Sequence, residues 1–567
     1  MWKYSLLLFF HLIYLNSTAQ FNDRLLSQPQ QFEKANYVSK IVGEMGALTI
    51  LVECDTKFLS KEDYYITAYD TSTMAFRWRK KINIVSHTNN ALEYEDLVLT
   101  NERCYLILRS FDSQNKIVKI YMQSISNEGL QSSELVELAS LKASVDGFFS
   151  YQIKNLYRVI STIDKTQALL VCEKGKSKKD NTINYGVRFI NEGRVEEEKE
   201  FTLPDVNENS SIANVIANGK KQLYFFSKKV ISTIDSTQKK GLLKQIFTAR
   251  ESLGYQLSIV DLRQMEVESF PIRLSEKKYI YDAKMTYDPK SDMVVCSGYY
   301  YTQTSTIMHS AFIQNFDGIF LRKYDADARK NVFKKEIDLK QEHIEVFGFS
   351  GGNVGNSMSG MGIAYGNGSS TKVSAQQKYV MGDLLIKDNG NVVLLSEYFC
   401  TVVTQSTQST TNYSGNSNYG LNQTNTTTTR KEEYFSEDIV ILEIDVNGNV
   451  NYSTRIKKKQ KSKNRNPFYF SYVVVQKNND LLFLFNDHYK NSETEANHAV
   501  NSSKRAALVL VHVDVKGRQE RSVLLDEKKQ EGMLCPLLSC ENLQHSVIAL
   551  IRNDRGHFDY SVLKVRF

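Results

Sequence analysis

Several short patterns in this chain have the residue types and spacing that enzyme chemistry uses. Gly348–Gly352 reads Gly-x-Ser-x-Gly, the pattern of the turn that presents a nucleophilic serine in many hydrolases. That turn needs a strand before the serine and a helix after it, whereas this serine opens a tract of Gly, Ser and Asn. Gly360, Gly362 and Gly366 fail as a dinucleotide fingerprint because their last spacing is wrong. We therefore expect no nucleophilic serine and no nucleotide cofactor here.

Metal chemistry is also poorly supported by the sequence. The nine histidines include no pair at ligand spacing, and no C-x-x-C pair occurs among the seven cysteines. Asp445–Asn449 begins like a calcium loop but lacks the further oxygen ligands and the distal glutamate, so we predict a hairpin turn. Cys54, Cys172 and Cys296 lie in apolar runs and are expected to be small buried hydrophobes. We expect no metal and no cofactor.

Polar residues at the ends of similar apolar runs form a more coherent set. Eight short runs each end on such a residue, and these residues are Glu53, Arg109, Glu173, Ser227, Ser297, Ser396, Asn486 and Arg552. Glu397, Asp487 and His488 follow directly after two of them. If the runs are equivalent strands of a repeat, these positions form a ring on one face, where loops converge and ligands bind. The alternative is that every strand must end on something polar.

Charge narrows the range of partners. The net charge of +7 over 567 residues is too small to indicate a dedicated nucleic-acid binder. The basic run Lys457–Arg465 stands out; it is expected to be a solvated loop, with a clamp for an anionic glycan, lipid headgroup or acidic protein as the alternative. Cys535 and Cys540 are close enough to bridge in an oxidising compartment, and the sequence leaves that question open.

The elements that carry these residues repeat along the chain. Each unit holds two strands with unbroken apolar runs, followed by two strands that alternate apolar and polar residues. Inner strands of a propeller blade are buried on both faces, whereas outer strands meet solvent, so this order is typical of a blade. We predict an all-β protein, a β-propeller of eight four-stranded blades, with seven as the alternative. An outer-membrane barrel and a set of β-sandwich domains are the rival folds.

Tight turns are predicted within the alternating pairs. They fall between Tyr64 and Trp78, and at Asn191–Gly193, Asp317–Gly318, Asn447–Gly448 and Lys516–Gly517. The last unit lacks a strand, and we expect Asn36–Met45 to complete the ring by pairing with it. Short helical patterns near Asn331–Glu342 and Leu242–Arg250 look like connectors.

Four segments follow from these patterns. Residues 1–19 resemble a signal peptide, because Lys3 precedes an apolar core shorter than the roughly 18 residues of a membrane helix and Ala19 is a suitable cleavage position. Residues 20–567 form one propeller domain without a transmembrane span. Two insertions interrupt it: a Gly/Ser/Asn-rich one at 348–372 and a Thr/Asn/Ser-rich hairpin at 401–430. We expect the hairpin to be a flexible loop, with strands extending past the propeller body as the alternative.

Asp383–Phe399, Glu437–Val450 and Leu481–Asn491 together resemble a group of secreted, uncharacterised, propeller-like proteins of the Bacteroidota. The resemblance covers Gly382–Asn491 well and implies a protein exported by a Gram-negative cell, located in the periplasm, at the outer membrane or outside the cell. It carries over no activity and no functional residue. Asn451–Tyr452 departs from the group, which often has a tryptophan after the turn.

The sequence favours a non-enzymatic binding or scaffold propeller of the cell envelope, with an envelope protein or a polysaccharide as partner. The binding residues expected are Glu53, Arg109, Glu173, Glu397, Asn486, Asp487, His488 and Arg552. One alternative is a propeller-type glycan hydrolase or lyase that uses Glu173, Glu397 and Asp487 as acid–base groups. Another is a surface adhesin that uses the Thr/Asn-rich hairpin.

Overall fold

The structure is a computed structural model. It describes residues 24–28, 36–55, 63–84, 91–142, 156–176, 182–206, 210–231, 252–302, 316–347, 363–366, 369–412, 423–463, 469–492, 498–500, 505–525, 533–538, 540–542, 546–552 and 560–566.

These ranges contain 34 β-strands, β1–β34 in chain order, which form successive antiparallel sets. The first four sets are Asn36–Met45, Leu48–Asp55, Asp63–Asp70 and Phe76–Lys81 (β2–β5, blade 1); Leu92–Leu99, Cys104–Asp112, Ile117–Ile125 and Val136–Lys142 (β6–β9, blade 2); Tyr157–Ser161, Ala168–Lys176, Ile183–Asn191 and Arg194–Leu203 (β10–β13, blade 3); and Ser210–Ala217, Gln222–Ile231, Ser252–Asp261 and Glu266–Ile272 (β14–β17, blade 4).

The remaining sets are Lys278–Asp288, Met293–Thr302, Gly318–Asp325 and Lys330–Asp338 (β18–β21, blade 5); Ile363–Gly366, Ser369–Ile386, Val392–Asn412, Gln423–Ile444 and Val450–Lys463 (β22–β26, blade 6); Val473–Lys477, Asp480–His488, Ala506–Val513 and Gln519–Leu525 (β27–β30, blade 7); and Met533–Leu534, Cys540–Asn542, Ser546–Arg552, Tyr560–Arg566 and the N-terminal strand Arg24–Leu26 (β31–β34 with β1, blade 8).

The predicted β-propeller is confirmed. Hydrogen bonding alone gives seven sheets, because the sets of blades 4 and 5 are joined through the single pair Leu253–Ile280. Dividing them at that pair gives eight sets: six have four strands, and blades 6 and 8 each have four strands and one additional short strand, β22 and β32. The count is therefore seven or eight by the criterion chosen, as the repeat predicted.

Apolar clusters join each blade to the next around the ring. One cluster lies between each consecutive pair of blades, and the last joins blade 8 to blade 1. Neighbouring residues of a second strand enter different clusters: Val393 packs towards blade 7 and Leu394 towards blade 5. This explains the unbroken apolar runs, because both faces of such a strand are buried.

Cysteines and the helix complete the description of the core. Cys54, Cys172 and Cys296 are buried in the interfaces, as expected of small hydrophobes. Cys535 is buried as well, whereas the side chain of Cys540 lies outside the described residues. The one α-helix described, α1, spans Gln341–Val346, and within the described ranges no helix has the length and apolarity that a bilayer crossing needs.

The ring closes through a different segment from the one predicted. Arg24–Leu26 pairs antiparallel with Leu563–Val565 of the C-terminal strand, as the outermost strand of blade 8. Ser27 extends this pairing, since its N–H donates to the carbonyl oxygen of Val562 at 2.9 Å. The prediction that Asn36–Met45 completes the last blade was wrong, because that segment pairs with Leu48–Asp55 as the first strand of blade 1.

Most of the predicted turns join third and fourth strands. Glu192 and Gly193 both have positive φ, at 49° and 82°, which is the conformation that a tight hairpin needs. At Gly448 and Gly517 only the glycine has positive φ. The turn predicted at Asp317–Gly318 was wrong: Gly318 begins the third strand of blade 5, and that strand ends at Asp325.

Helix prediction in the connectors was also imperfect. Most of the predicted helical pattern Asn331–Glu342 is the strand Lys330–Asp338, because its alternating residues pair with Gly318–Asp325. Only α1, directly after it, is helical. Residues 242–250 lie outside the described residues.

Blade 6 carries strands that run far beyond its neighbours. Cys400–Asn412 pairs with Gln423–Phe435 without interruption, which extends the inner part of the blade into a projecting sheet. The expectation of a flexible loop was therefore wrong for the paired residues, and the alternative of extended strands holds. The basic run was also misplaced: Val450–Lys463 is one strand, in which Lys459–Lys463 pairs with Glu433–Glu437, so residues 457–463 are not a loop.

The Gly/Ser/Asn-rich insertion is only partly described. Ile363–Gly366 and Ser369–Ile386 form paired strands. The Gly-x-Ser-x-Gly pattern and the glycines Gly360 and Gly362 lie outside the described residues.

Candidate functional site

The predicted ring residues all lie on the second strand of their blades. In order, these strands are β3, β7, β11, β15, β19, β24, β28 and β33. A second strand packs between neighbouring blades, so the side chains described for this set lie at or near the interfaces between blades. Four of the residues are at most 1% exposed, namely Glu53, Ser297, Ser396 and Asn486. The side chain of Arg552 lies outside the described residues.

Glu53 holds the junction between blades 1 and 8. Its carboxylate accepts hydrogen bonds from Thr67 Oγ1 at 2.5 Å and from the Tyr560 hydroxyl at 2.6 Å. Arg79 Nε lies 2.7 Å from its other oxygen. The Tyr560 and Tyr69 hydroxyls are 3.1 Å apart, and burial raises the pKa of both phenols. The position therefore links the two ends of the chain.

The serines of the set make hydrogen bonds with buried partners. Ser297 Oγ donates to the Phe320 carbonyl oxygen at 2.6 Å, and Ser227 Oγ lies 3.4 Å from the Gln256 carbonyl oxygen. Ser396 Oγ is 2.8 Å from the Tyr299 hydroxyl, across the interface between blades 5 and 6. These contacts are those of buried polar groups that satisfy their hydrogen bonds.

Glu397 forms a buried ion pair with Lys458. The lysine Nζ also donates to Ser436 Oγ at 2.6 Å and Gln460 Oε1 at 3.1 Å. Ser471 Oγ donates to the second carboxylate oxygen at 2.5 Å. The side chains of Lys458 and Glu397 are 0% and 4% exposed. Burial lowers the pKa of Lys458, against the attraction of the carboxylate.

Asn486 hydrogen-bonds across the junction of blades 7 and 8, whereas Asp487 makes its contacts within blade 7. The Asn486 amide both donates to and accepts from the Leu534 backbone, at 2.7 and 2.8 Å. Asp487 forms an ion pair with Arg521, and desolvation lowers the pKa of Arg521 to about 10. Asn491 Nδ2 donates to the same carboxylate at 2.8 Å. Asn486 and Asp487 are each 1% exposed.

His488 completes this corner. Its ring stacks on Tyr489 and lies 5.1 Å, between ring centres, from His498. Desolvation first, and the neighbouring His498 second, lower the pKa of His488. The described residues hold no group of three His, Cys, Asp or Glu side chains that is suited to a metal ion.

Arg109 and Glu173 differ from the other charged members because they keep partial exposure. Arg109 lies between two carboxylates of the innermost strand of its blade, at 2.9 Å from Glu93 and 3.0 Å from Glu95. Its side chain is 23% exposed and that of Glu93 is 62% exposed. Glu173 is half-buried beside Tyr185, whose pKa is raised mainly by desolvation.

Innermost strands carry charged residues that sequence reasoning missed. These strands line the axis of a propeller. Lys40 Nζ lies 2.6 Å from Asp96 Oδ1 across blades 1 and 2, and both side chains are well exposed. Lys284 and Asp383 are exposed on the inner strands of blades 5 and 6. We call Lys40, Glu93, Asp96, Lys284 and Asp383 the inner-strand set.

Asp383 has the most unusual surroundings in this set. It follows Gly382 at a bulge, where the register shifts between Met381 and Leu384. The Tyr472 hydroxyl lies directly over Gly382, where a side-chain carbon would meet it at 2.5 Å. Desolvation raises the pKa of Asp383, and Lys284 opposes this effect. The signal for this set is the charged residues within the first strand of a unit, such as Leu-Glu-Tyr-Glu-Asp at 92–96.

The calcium-like segment is a turn, as predicted. Asp445 Oδ1 accepts the backbone N–H groups of Asn447 and Asn449 at 2.9 and 2.7 Å. Asp514 repeats this arrangement with Lys516 and Arg518, at 2.8 and 2.9 Å. The carboxylate oxygens therefore satisfy turn amides.

Comparison with known proteins gives structural similarity only. No family model matches the chain, and no curated protein is significantly similar to it. The β-propeller domain of the Trilobed protease from Pyrococcus furiosus is 11% identical, with a TM-score of 0.34 over 88% of this chain and 97% of that one. A europium-containing methanol dehydrogenase is 8% identical, with a TM-score of 0.38 over 96% and 93%. The polysaccharide lyase Uly1 is 7% identical, with a TM-score of 0.36 over 86% and 92%. None of these three scores reaches 0.5, so the fold assignment rests on the strand pairing.

Proposed function

We propose that this chain is an exported, non-enzymatic binding or scaffold propeller of the cell envelope, with an envelope protein or a polysaccharide as its partner. Export rests on the signal-peptide pattern of residues 1–19 and on the resemblance of Gly382–Asn491 to secreted Bacteroidota proteins. Its place is the periplasm, the outer membrane or the cell exterior. Nucleic acid is not the expected partner.

The observation that carries this proposal is the state of the candidate acid–base groups. A glycan hydrolase or lyase needs a carboxyl group that reaches the substrate and exchanges protons with it. Glu397 and Asp487 instead lie in buried ion pairs with Lys458 and Arg521. Both carboxylates are therefore occupied by structural roles, which argues against acid–base catalysis at these two positions.

The inner-strand set is the accessible surface best suited to a polar partner. It presents both signs of charge from blades 1, 2, 5 and 6, and its members are exposed. Mixed charge suits a hydroxyl-rich or zwitterionic partner better than an apolar one. The ligand ring predicted from the polar residues of the second strands stays a prediction. Its buried members are poor positions for a binding test, because substituting them disturbs the interfaces between blades.

The test is a pull-down in which the mature protein is the bait and captures partners from its own envelope fraction, with and without added polysaccharide. The variant Glu93→Gln/Lys284→Gln/Asp383→Asn should lose the captured partner. Glu520→Gln is the control, since that residue is 86% exposed on an outermost strand. Equal capture by the triple variant and the control contradicts binding at the inner strands. Glycan cleavage by the wild-type protein contradicts the non-enzymatic proposal.

The projecting sheet of blade 6 favours surface adhesion as a second candidate. Its two long strands pair along Cys400–Asn412, and the side chains of Thr427, Thr428 and Thr429 are exposed. Deleting Thr404–Thr429 should abolish attachment of cells that display the protein, with an unchanged melting temperature for the ring. Attachment that survives the deletion excludes this role.

A further inference from the structure

The tip of the projecting sheet has an open backbone edge. On one side, β25 pairs with β24 along its whole length. On the other side, pairing with β26 begins only at Glu433, opposite Lys463. Within the described part of the chain, no strand pairs with this side of Gln423–Lys431. We call this side the tip edge.

An open edge of this kind is a template for another strand. It presents a row of backbone N–H and C=O groups, and proteins usually block such edges with proline, a bulge or charged side chains. The tip edge has no proline, and its register against β24 is regular from Ser436 outward. Its charges, Arg430 and Lys431, lie at the inner end only. The outer part is therefore unprotected.

The side chains of the tip edge suit a copy of the same strand. Thr427, Thr428 and Thr429 are exposed. The strand already accepts a hydroxyl-rich neighbour on its other side, where Thr428 Oγ1 lies 3.4 Å from Thr407 Oγ1. Directly opposed threonines are favourable cross-strand pairs.

Charge selects the orientation of the second copy. In an antiparallel pair related by a two-fold axis at Thr427 or Thr428, the basic residues of the two copies lie at opposite ends. Arg430 and its symmetry mate are then four to six residues apart, or about 14–20 Å at the usual rise per residue. That separation exceeds the Debye length of about 8–10 Å, so their repulsion is screened. In a parallel, in-register pair the same residues lie side by side.

We propose that the tip edge is a self-association surface, on which a second copy of this chain adds an antiparallel strand across Thr427–Thr428. Such a contact is isologous, so one pairing uses the tip edge of both copies and closes the assembly as a dimer. Backbone pairing over one strand length buries less surface than standard interfaces do, so the dimer is weak and depends on concentration. This inference is independent of the proposed function.

Sedimentation of the mature chain over a range of concentrations tests this surface. The wild-type mass should rise from that of the monomer towards twice that value. Thr427→Lys/Thr428→Lys places like charges opposite one another and should raise the dissociation constant by about tenfold. Val446→Lys is the control, because Val446 is 48% exposed in a turn at the far end of the same strand.

Cross-linking fixes the register. Directly opposed residues of an antiparallel pair have Cα atoms about 4.5–5.5 Å apart, which a disulfide accepts. Thr427→Cys or Thr428→Cys should therefore give a disulfide-linked dimer under mild oxidation, and Val446→Cys should not. A wild-type protein that stays monomeric at all concentrations, including one that instead captures a foreign peptide, overturns the proposal. So does a double-lysine variant that dimerises like the control, or linkage equal at all three cysteines.

Discussion

Removing Lys458 tests whether the polar residues of the second strands are structural. Lys458 is 1% exposed and donates to Glu397, Ser436 and Gln460. In Lys458→Met, Glu397 keeps the donors Ser436 and Ser471 but loses its counter-charge. Breaking a buried pair from one side costs about 3–5 kcal/mol, because it leaves a charge without compensation. We expect a loss of that size in the free energy of unfolding.

Two further variants separate this effect from ordinary loss of charge. Lys457→Met removes the same charge from the neighbouring exposed position and should cost less than about 0.5 kcal/mol. Adding Glu397→Gln to Lys458→Met removes the stranded charge, so part of the lost stability should return. The stability that returns measures how much of the loss in Lys458→Met is due to the uncompensated charge of Glu397.

Urea unfolding followed by tryptophan fluorescence and far-ultraviolet circular dichroism measures these differences. Hydrogen exchange should show the loss first in blades 6 and 7, which the pair and Ser471 connect. If Lys458→Met is as stable as Lys457→Met, the ion pair has no structural role. The predicted ligand ring would then regain its strongest acid–base candidate.

Three smaller perturbations follow from the same structure. Gly517→Ala should lose more stability than Gly46→Ala, because both glycines have positive φ but only Gly517 has a tyrosine ring 2.6 Å from the added carbon; equal losses in thermal unfolding contradict this. Tyr560→Phe should cost about 1–3 kcal/mol by taking a donor from the buried Glu53 carboxylate, and an unchanged urea midpoint argues against that bond. Burial raises the pKa of Asp514, but hydrogen bonds within its own turn outweigh this and lower it. Its contribution is therefore present above the unfolded pKa of about 3.9 and is lost as the pH falls through the lowered folded value. The stability difference between the wild type and Asp514→Asn should shrink in acid, and a constant difference rules out this linkage.

The repeat was predictable because its cause is local in sequence. A second strand is buried on both faces, so its residues are apolar without alternation, as at Val393 and Leu394. Turn residues are local as well, which is why Gly193, Gly448 and Gly517 were recognised. These features survive in a single sequence because each is set by neighbours along the chain.

The roles of the polar residues were not predictable, because their partners are distant. Glu397 meets a lysine 61 positions later, and Glu53 meets a tyrosine 507 positions later. A polar residue after an apolar run looks the same whether it faces a ligand or a hidden counter-charge. Lys458 shows the same difficulty for the basic partner. A run of basic residues looks like a solvated loop in the sequence, but here it is part of a strand in which alternate residues, Lys458 and Gln460, are buried.

The sequence predicted that an early segment pairs with the last blade and closes the ring, but it indicated the wrong segment. Asn36–Met45 has the alternation of a strand, whereas the segment that closes the ring, Arg24–Leu26, is three residues long. A strand so short leaves no periodic signal. Its pairing is decided by the edge that the last blade offers.

The pairing of Arg24–Leu26 with Leu563–Val565 imposes an order on assembly. Arg24–Leu26 has no pairing partner until Leu563–Val565 has been synthesised, so it stays unpaired while the intervening blades are made. A product that stops before Tyr560 leaves the interface between blades 8 and 1 exposed, together with the unmatched edges on both sides of it. Such a product is a natural substrate for proteases and chaperones. The ring therefore closes only after Tyr560–Arg566 has been synthesised.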